Sequence, residues 1–90
     1  MNKIYLINYD LYRTGQDYTS LIDEIKRSQD WIKYLKSGWI VASGETIHQL
    51  YERLAKRIDS NDCILISEFN RNYYGYLAKL VWQWLNKYGF

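Results

Sequence analysis

The chain is poor in the residues that announce a particular chemistry. It carries a single cysteine, Cys63, and a single histidine, His48. One cysteine excludes an internal disulfide, and one of each leaves no ligand set for a zinc site. Cys63 stands in the apolar run Cys63-Ile64-Leu65-Ile66, which predicts a buried thiol and suits a reducing cytoplasm. No apolar run approaches the ~20 residues of a membrane span, and the stretch Ile4-Tyr5-Leu6-Ile7 is too short for a secretory signal. The expected compartment is therefore the cytoplasm. A glycine-rich phosphate loop, a Ser/His/Asp arrangement and a Glu pair at catalytic spacing are all missing, which disfavours hydrolases of those kinds. Charge is not one-sided either. Twelve Lys and Arg stand against ten Asp and Glu, for a net +2, so nucleic-acid binding is permitted but not argued for. Repeats, linkers and low-complexity tracts are absent.

What is present is bulk. The 90 residues are 48% apolar and 18% aromatic, with four Trp and ten Tyr. That is enough for one hydrophobic core and too short for two, so residues 1–90 are read as a single domain.

Residues 3–10 are β-branched, Leu or aromatic without helical spacing, which predicts a first strand. A polar turn containing Arg13, Thr14, Gly15, Gln16 and Asp17 follows, with Asp17 or Ser20 as a candidate cap. Tyr18, Leu21, Ile22 and Ile25 then fall on one helical face opposite Asp23, Glu24, Lys26 and Arg27. Trp31 to Leu35 and Trp39 to Ala42 read as two strands around Ser37-Gly38. Ile47, Leu50, Tyr51, Leu54 and Ile58 form the stripe of a second helix, preceded by Ser43-Gly44-Glu45-Thr46 as its cap. Residues 63–69 give a fourth strand, and Leu77, Leu80, Val81, Trp84, Leu85 and Tyr88 a third helical stripe. The order β-α-β-β-α-β plus a helix predicts an α+β, ferredoxin-like antiparallel sheet over residues 3–69, with a helical extension at 74–90.

In such a sheet the face without helices should be polar. Here the first strand offers Ile4 and Leu6 on one side and Tyr5, Ile7 and Tyr9 on the other, so something must cover the second face: the C-terminal helix or, as the preferred reading, a second copy of the chain. A homodimer buried through Tyr5, Ile7, Tyr9 and Leu65 is the expectation. Tyr5 and Tyr9, two apart on one strand, would alternatively serve as a stacking platform for unpaired bases. Arg53, Lys56 and Arg57 lie at helical spacing. With Arg13 they form a candidate phosphate-contacting stripe, against the plainer reading of a solvated face with Glu52 and Lys56 as an i,i+4 pair. His48 flanks the second helix as a surface residue.

A first strand ending in Asn8-Tyr9-Asp10-Leu11, the two short strands around Ser37 and the helix and strand from Thr46 to Phe69 together resemble a known superfamily. It is that of the small CRISPR-associated (Cas-two-like) and VapD-type ferredoxin-fold nucleases. The tail Tyr74-Gly75-Tyr76-Leu77 leading into Trp82-Gln83-Trp84-Leu85 is similar to the SinR-like branch. The resemblance implies a dimer in a phage-defence or toxin–antitoxin setting, and a metal-dependent endonuclease, RNA before duplex DNA. It makes Asp10 the metal ligand and catalytic residue, with two copies of it around one Mg²⁺, an ion that favours hard oxygen ligands. Read from the residues alone, Asp10 simply ends its strand. The chain departs from the family pattern in the acidic Asp23 and Glu24 of its first helix, and in an aromatic helix where the family places a strand that crosses to the partner. A place in an integrase complex is not expected. The alternative function is a non-catalytic dimeric module that binds nucleic acid or another protein.

Overall fold

The computed structural model describes residues 2–11 and 18–90. Over them the chain runs β1 (Lys3–Asp10), α1 (Thr19–Ile25), β2 (Asp30–Leu35), β3 (Gly38–Ser43), α2 (Ile47–Ala55), β4 (Cys63–Glu68) and α3 (Lys79–Lys87). Helix α2 starts where it does because Thr46 closes a capping box. Its hydroxyl accepts the Gln49 N–H at 3.1 Å, and the Gln49 side chain accepts the Thr46 N–H at 3.0 Å, so two orphan donors of the first turn are satisfied. Helix α1 has no such device: Tyr18 is its N-cap residue without a side-chain cap bond. Of its two expected caps, Ser20 lies inside the helix and Asp17 outside the described residues.

The strands form one antiparallel sheet in the order β2-β3-β1-β4, so β1 is central and β2 and β4 are the edges. Both faces are covered from within the chain. On one, Tyr5, Ile7 and Tyr9 of β1 and Trp39 and Val41 of β3 pack with Leu21 and Ile25 of α1 and Leu50 and Leu54 of α2. On the other, Ile4, Ile40 and Ala42 pack with Val81 and Leu85 of α3, joined by Leu6, Ile32, Tyr34 and Trp84. Strand alternation puts odd residues of β1 under α1 and α2 and even ones under α3. That is why the strands are apolar on both sides.

Two expectations are corrected here. Tyr5 and Ile7 are fully buried and Tyr9 nearly so, beneath the chain's own helices. They have no surface to give to a dimer partner or to stacked bases. Their polar tips are satisfied internally, Tyr5 Oη donating to the Glu45 carbonyl at 2.7 Å and Trp39 Nε1 donating to Tyr9 Oη at 3.2 Å. Leu65 alone of the four expected interface residues stays open, 69% exposed. Cys63, expected to be buried, is exposed. It opens the edge strand β4 opposite Asp10, on the part of the sheet that α3 does not reach. No helix among the described residues is long and apolar enough to cross a membrane.

Candidate functional site

Asp10 ends β1 at the surface, beside Cys63 across the ladder. Asn8, Asp10, Cys63 and Leu65 line a shallow depression of about 290 Å³. Asn8 is engaged, because its Oδ1 accepts the Tyr34 hydroxyl at 2.8 Å. Room for that bond comes from Gly38: a Cβ there would stand 2.7 Å from Tyr34 Cε1 and 2.8 Å from Asn8 Oδ1. Asp10 itself makes no ion pair or side-chain hydrogen bond among the described residues. Three His, Cys, Asp or Glu side chains gather nowhere among those residues. Among the described residues Asp10 has the thiol of Cys63 opposite it, a soft donor and a poor companion for Mg²⁺. Among those residues this depression thus supplies a single carboxylate.

The basic candidates are drawn elsewhere. Arg13 lies outside the described residues. Arg53 is turned inward from α2 to bridge α1 and the β3–α2 turn. Its Nε and Nη2 donate to the Glu45 carboxylate at 3.1 and 3.0 Å, Nη1 to the Glu24 carboxylate at 3.0 Å and the Glu24 carbonyl at 2.5 Å, and Nη2 to Ser28 Oγ at 3.0 Å. A guanidinium has five N–H groups, so this one has none to spare for a phosphate. Arg57 reaches the same Glu24, 3.2 Å from Oε1, but is more exposed. Burial pushes the Glu24 carboxyl up, yet the hydrogen bond from Arg53, the nearby Arg27 charge and the bond from Arg57 together hold it below the ordinary carboxylate range. Glu45 is lowered too, first by its hydrogen bond from Arg53, against burial. These groups, with Arg27, Gln49, Glu52 and Lys56, line an open groove of about 800 Å³. The expectation of a solvated or phosphate-contacting stripe therefore fails for Arg53, which is an internal clamp. Glu52 pairs with His48 at 3.5 Å.

A second ion cluster fastens α3. Asp30 at the start of β2 accepts Lys87 Nζ at 2.7 Å and Tyr88 Oη at 2.5 Å. Burial would raise its carboxyl, but these bonds and the Trp31 N–H bring it down to about 2. Burial and the same carboxylate push the Tyr88 phenol up to about 12.

No family model matches this chain, and no solved structure matches it.

The segment between β4 and α3 holds what strand-based reasoning missed. Phe69, Tyr73, Trp82 and Phe90 form an aromatic cluster, with Tyr73 and Trp82 stacked at 6.1 Å and Phe69 and Phe90 5.1 Å apart. The Arg71 guanidinium lies 5.1 Å from the Phe90 ring. Beyond this anchor Tyr74 and Tyr76 stand fully in water, at 105% and 99% exposure, around Gly75, whose Cβ position meets nothing. Lys79 follows, also exposed. The signal was available in Tyr74-Gly75-Tyr76: polar-tipped rings around a glycine, flanked by Arg71 and Lys79, outside every apolar stripe.

Proposed function

We propose that this chain is a small cytoplasmic, self-associating binding module of ferredoxin-like topology that holds single-stranded nucleic acid, RNA before DNA, through the arm between β4 and α3. The topology is supported by the strand order, which read from the other edge is β4-β1-β3-β2, with two helices on one face. The observation that carries the function is the pair Tyr74 and Tyr76, fully exposed between Arg71 and Lys79. Exposed rings of this kind offer stacking surfaces for unpaired bases, while adjacent cations track the backbone. A SinR-like, Cas-two-like or VapD-like protein of phage defence or a toxin–antitoxin pair fits this reading. A labelled 12-nucleotide RNA, the equivalent DNA and a duplex, titrated by fluorescence anisotropy at low salt, test it. Single strands bind more tightly than duplex, and Tyr74→Ala with Tyr76→Ala weakens binding by about tenfold or more, given ~1–3 kcal/mol per stacked base, with the melting temperature unchanged. No binding of any nucleic acid at low salt, or binding indifferent to both tyrosines, refutes the reading.

A second reading keeps Asp10 as the seat of Mg²⁺-dependent endoribonuclease activity. It is favoured by an exposed carboxylate without an internal partner among the described residues. The other oxygens around the ion would come from water and from the substrate's phosphates. Cleavage of the same RNA that needs both Mg²⁺ and Asp10, lost in Asp10→Asn and with chelator, decides for it; intact RNA under every condition decides against.

A further inference from the structure

The arm between β4 and α3 is held at two points and free between them. Over residues 72–78 the backbone makes no helix, turn or bend, and Gly75 takes no positive φ. An extended chain sends successive side chains to opposite sides, and burial along the arm follows that alternation. Tyr73 is drawn inward, its ring 4.8 Å from Phe69 and stacked on Trp82. Leu77 packs on the cluster of Ile4, Ile40, Val81 and Leu85. Gly75, between them on the same side, has no side chain to place. Tyr74 and Tyr76 fall on the other side, so exposed that neither ring shades the other. Charge on this part of the chain has one sign. From Phe69 to Phe90 there are Arg71, Lys79 and Lys87 and no Asp or Glu; Glu68 closes β4 before the arm begins. Lys87 is paired with Asp30 and Arg71 donates one N–H to the Gly89 carbonyl. Lys79 makes no ion pair among the described residues.

We infer that Tyr74 and Tyr76 are the two jaws of a clamp that takes one base of a single strand between their rings. The inference rests on the nucleic-acid binding proposed above and fixes its stoichiometry, one base to two tyrosines. Side chains two apart in an extended chain stand about 6.4–6.8 Å from each other. Bases along a strand are spaced by about 3.4 Å, so rings at twice that distance leave room for one planar group and are too far apart to stack on each other. A base held on both faces has lost both its stacked neighbours. A single strand allows that by turning its backbone, whereas a duplex must first unpair and unstack the base. The clamp therefore separates single strand from duplex rather than one base from another, since every base has a π-face. Anchoring by Tyr73 and Leu77 fixes the backbone on both sides of the jaws, so the gap exists before the strand arrives and less order is lost on binding. Arg71 and Lys79, one before the jaws and one after, supply positive charge for the phosphates on either side of the held base.

A short RNA that is abasic except for one central adenine, set against a fully abasic strand and the complete sequence, tests the clamp by fluorescence anisotropy at low salt. The expected result is that the single adenine strengthens binding about fivefold or more over the abasic strand. Tyr74→Ala and Tyr76→Ala each remove most of that gain, because the one base needs both rings, while Tyr74→Phe and Tyr76→Phe keep it. A glycine inserted after Gly75 throws one ring to the other side of the extended chain and removes the gain as well. Circular dichroism shows all these variants folded, since neither ring packs on the fold. A gain that survives the loss of either tyrosine alone, or the inserted glycine, makes the rings separate platforms and overturns the clamp alone. A complete strand that binds while the single adenine adds nothing does the same. No binding of any single strand overturns the nucleic-acid reading and the clamp together.

Discussion

Replacing Arg53 by alanine removes a group that ties α1, α2 and the β3–α2 turn together, and its consequence can be worked from the geometry. Glu24 is only 5% exposed. Without Arg53 its carboxylate keeps the hydrogen bond from Arg57 and the nearby Arg27 charge, and Glu45 loses its guanidinium. Breaking a buried pair costs about 3–5 kcal/mol, because one charge is left desolvated and uncompensated. Since Arg57 remains, the lower end applies, about 3 kcal/mol, against a total of roughly 5–13 kcal/mol for a domain of this size. At about 4–8 °C per kcal/mol, the melting temperature at pH 7 falls by roughly 12–24 °C. The pH dependence is diagnostic. In the wild type both carboxyls are held below 4.5, so their contribution is complete above that value and is lost as the pH falls through their folded values. In Arg53→Ala, burial of Glu24 is opposed less, so its carboxyl takes up a proton at a higher pH than in the wild type. The gap between variant and wild type therefore narrows from pH 7 to pH 4. Urea and thermal unfolding followed by circular dichroism at both pH values measure it. Arg53→Lys should fall between, since it keeps the charge without the fork, and Glu24→Gln with Arg53→Met should recover part of the loss. An Arg53→Ala variant within ~1 kcal/mol of wild type at pH 7, or a gap that does not shrink in acid, would refute the account of Arg53 as an internal clamp.

Two further outcomes follow from single contacts. Gly38→Ala places a methyl 2.7 Å from the Tyr34 ring. It should cost about 1–3 kcal/mol as an overpacked site, read as a lower urea midpoint with an unchanged slope; a neutral substitution would show that Tyr34 moves aside freely. Asp30 is brought from 3.8 to about 2, so the wild type should lose stability as the pH falls from about 4 to about 2, by at most about 2 kcal/mol. Asp30→Asn should lose that increment at pH 7 and show no such acid step, with near-UV circular dichroism of the α3 tryptophans reporting it. An identical acid step in both proteins would show that the Lys87 and Tyr88 contacts do not hold α3.

Much of the fold was legible because it is local. The span of β1, the two strands around Ser37-Gly38, the Thr46 cap and the stripes of α2 and α3 are periodic signals that survive without knowing what packs on them. The sites were less legible, for a reason visible in Glu24 and Arg53. Glu24 lies three residues after Leu21 and one before Ile25, on the buried stripe of α1, and Arg53 stands beside Leu54 on that of α2. Charged residues on an apolar stripe are read from sequence as solvent-facing. They are buried here because each supplies the other's counter-charge across two elements that the chain brings together only when folded.

Composition and periodicity were sufficient for the kinds and order of elements and for the fact that both sheet faces require cover, since these depend on which residues water excludes and at what spacing they recur. Which cover each face receives was a tertiary outcome. The choice of α3 over a partner for the face of Ile4 and Ile40, the exposure of Cys63 and Leu65, and the capture of Arg53 all depend on which edge of the sheet α3 leaves open, and no one-dimensional pattern encodes how far a helix reaches across a sheet.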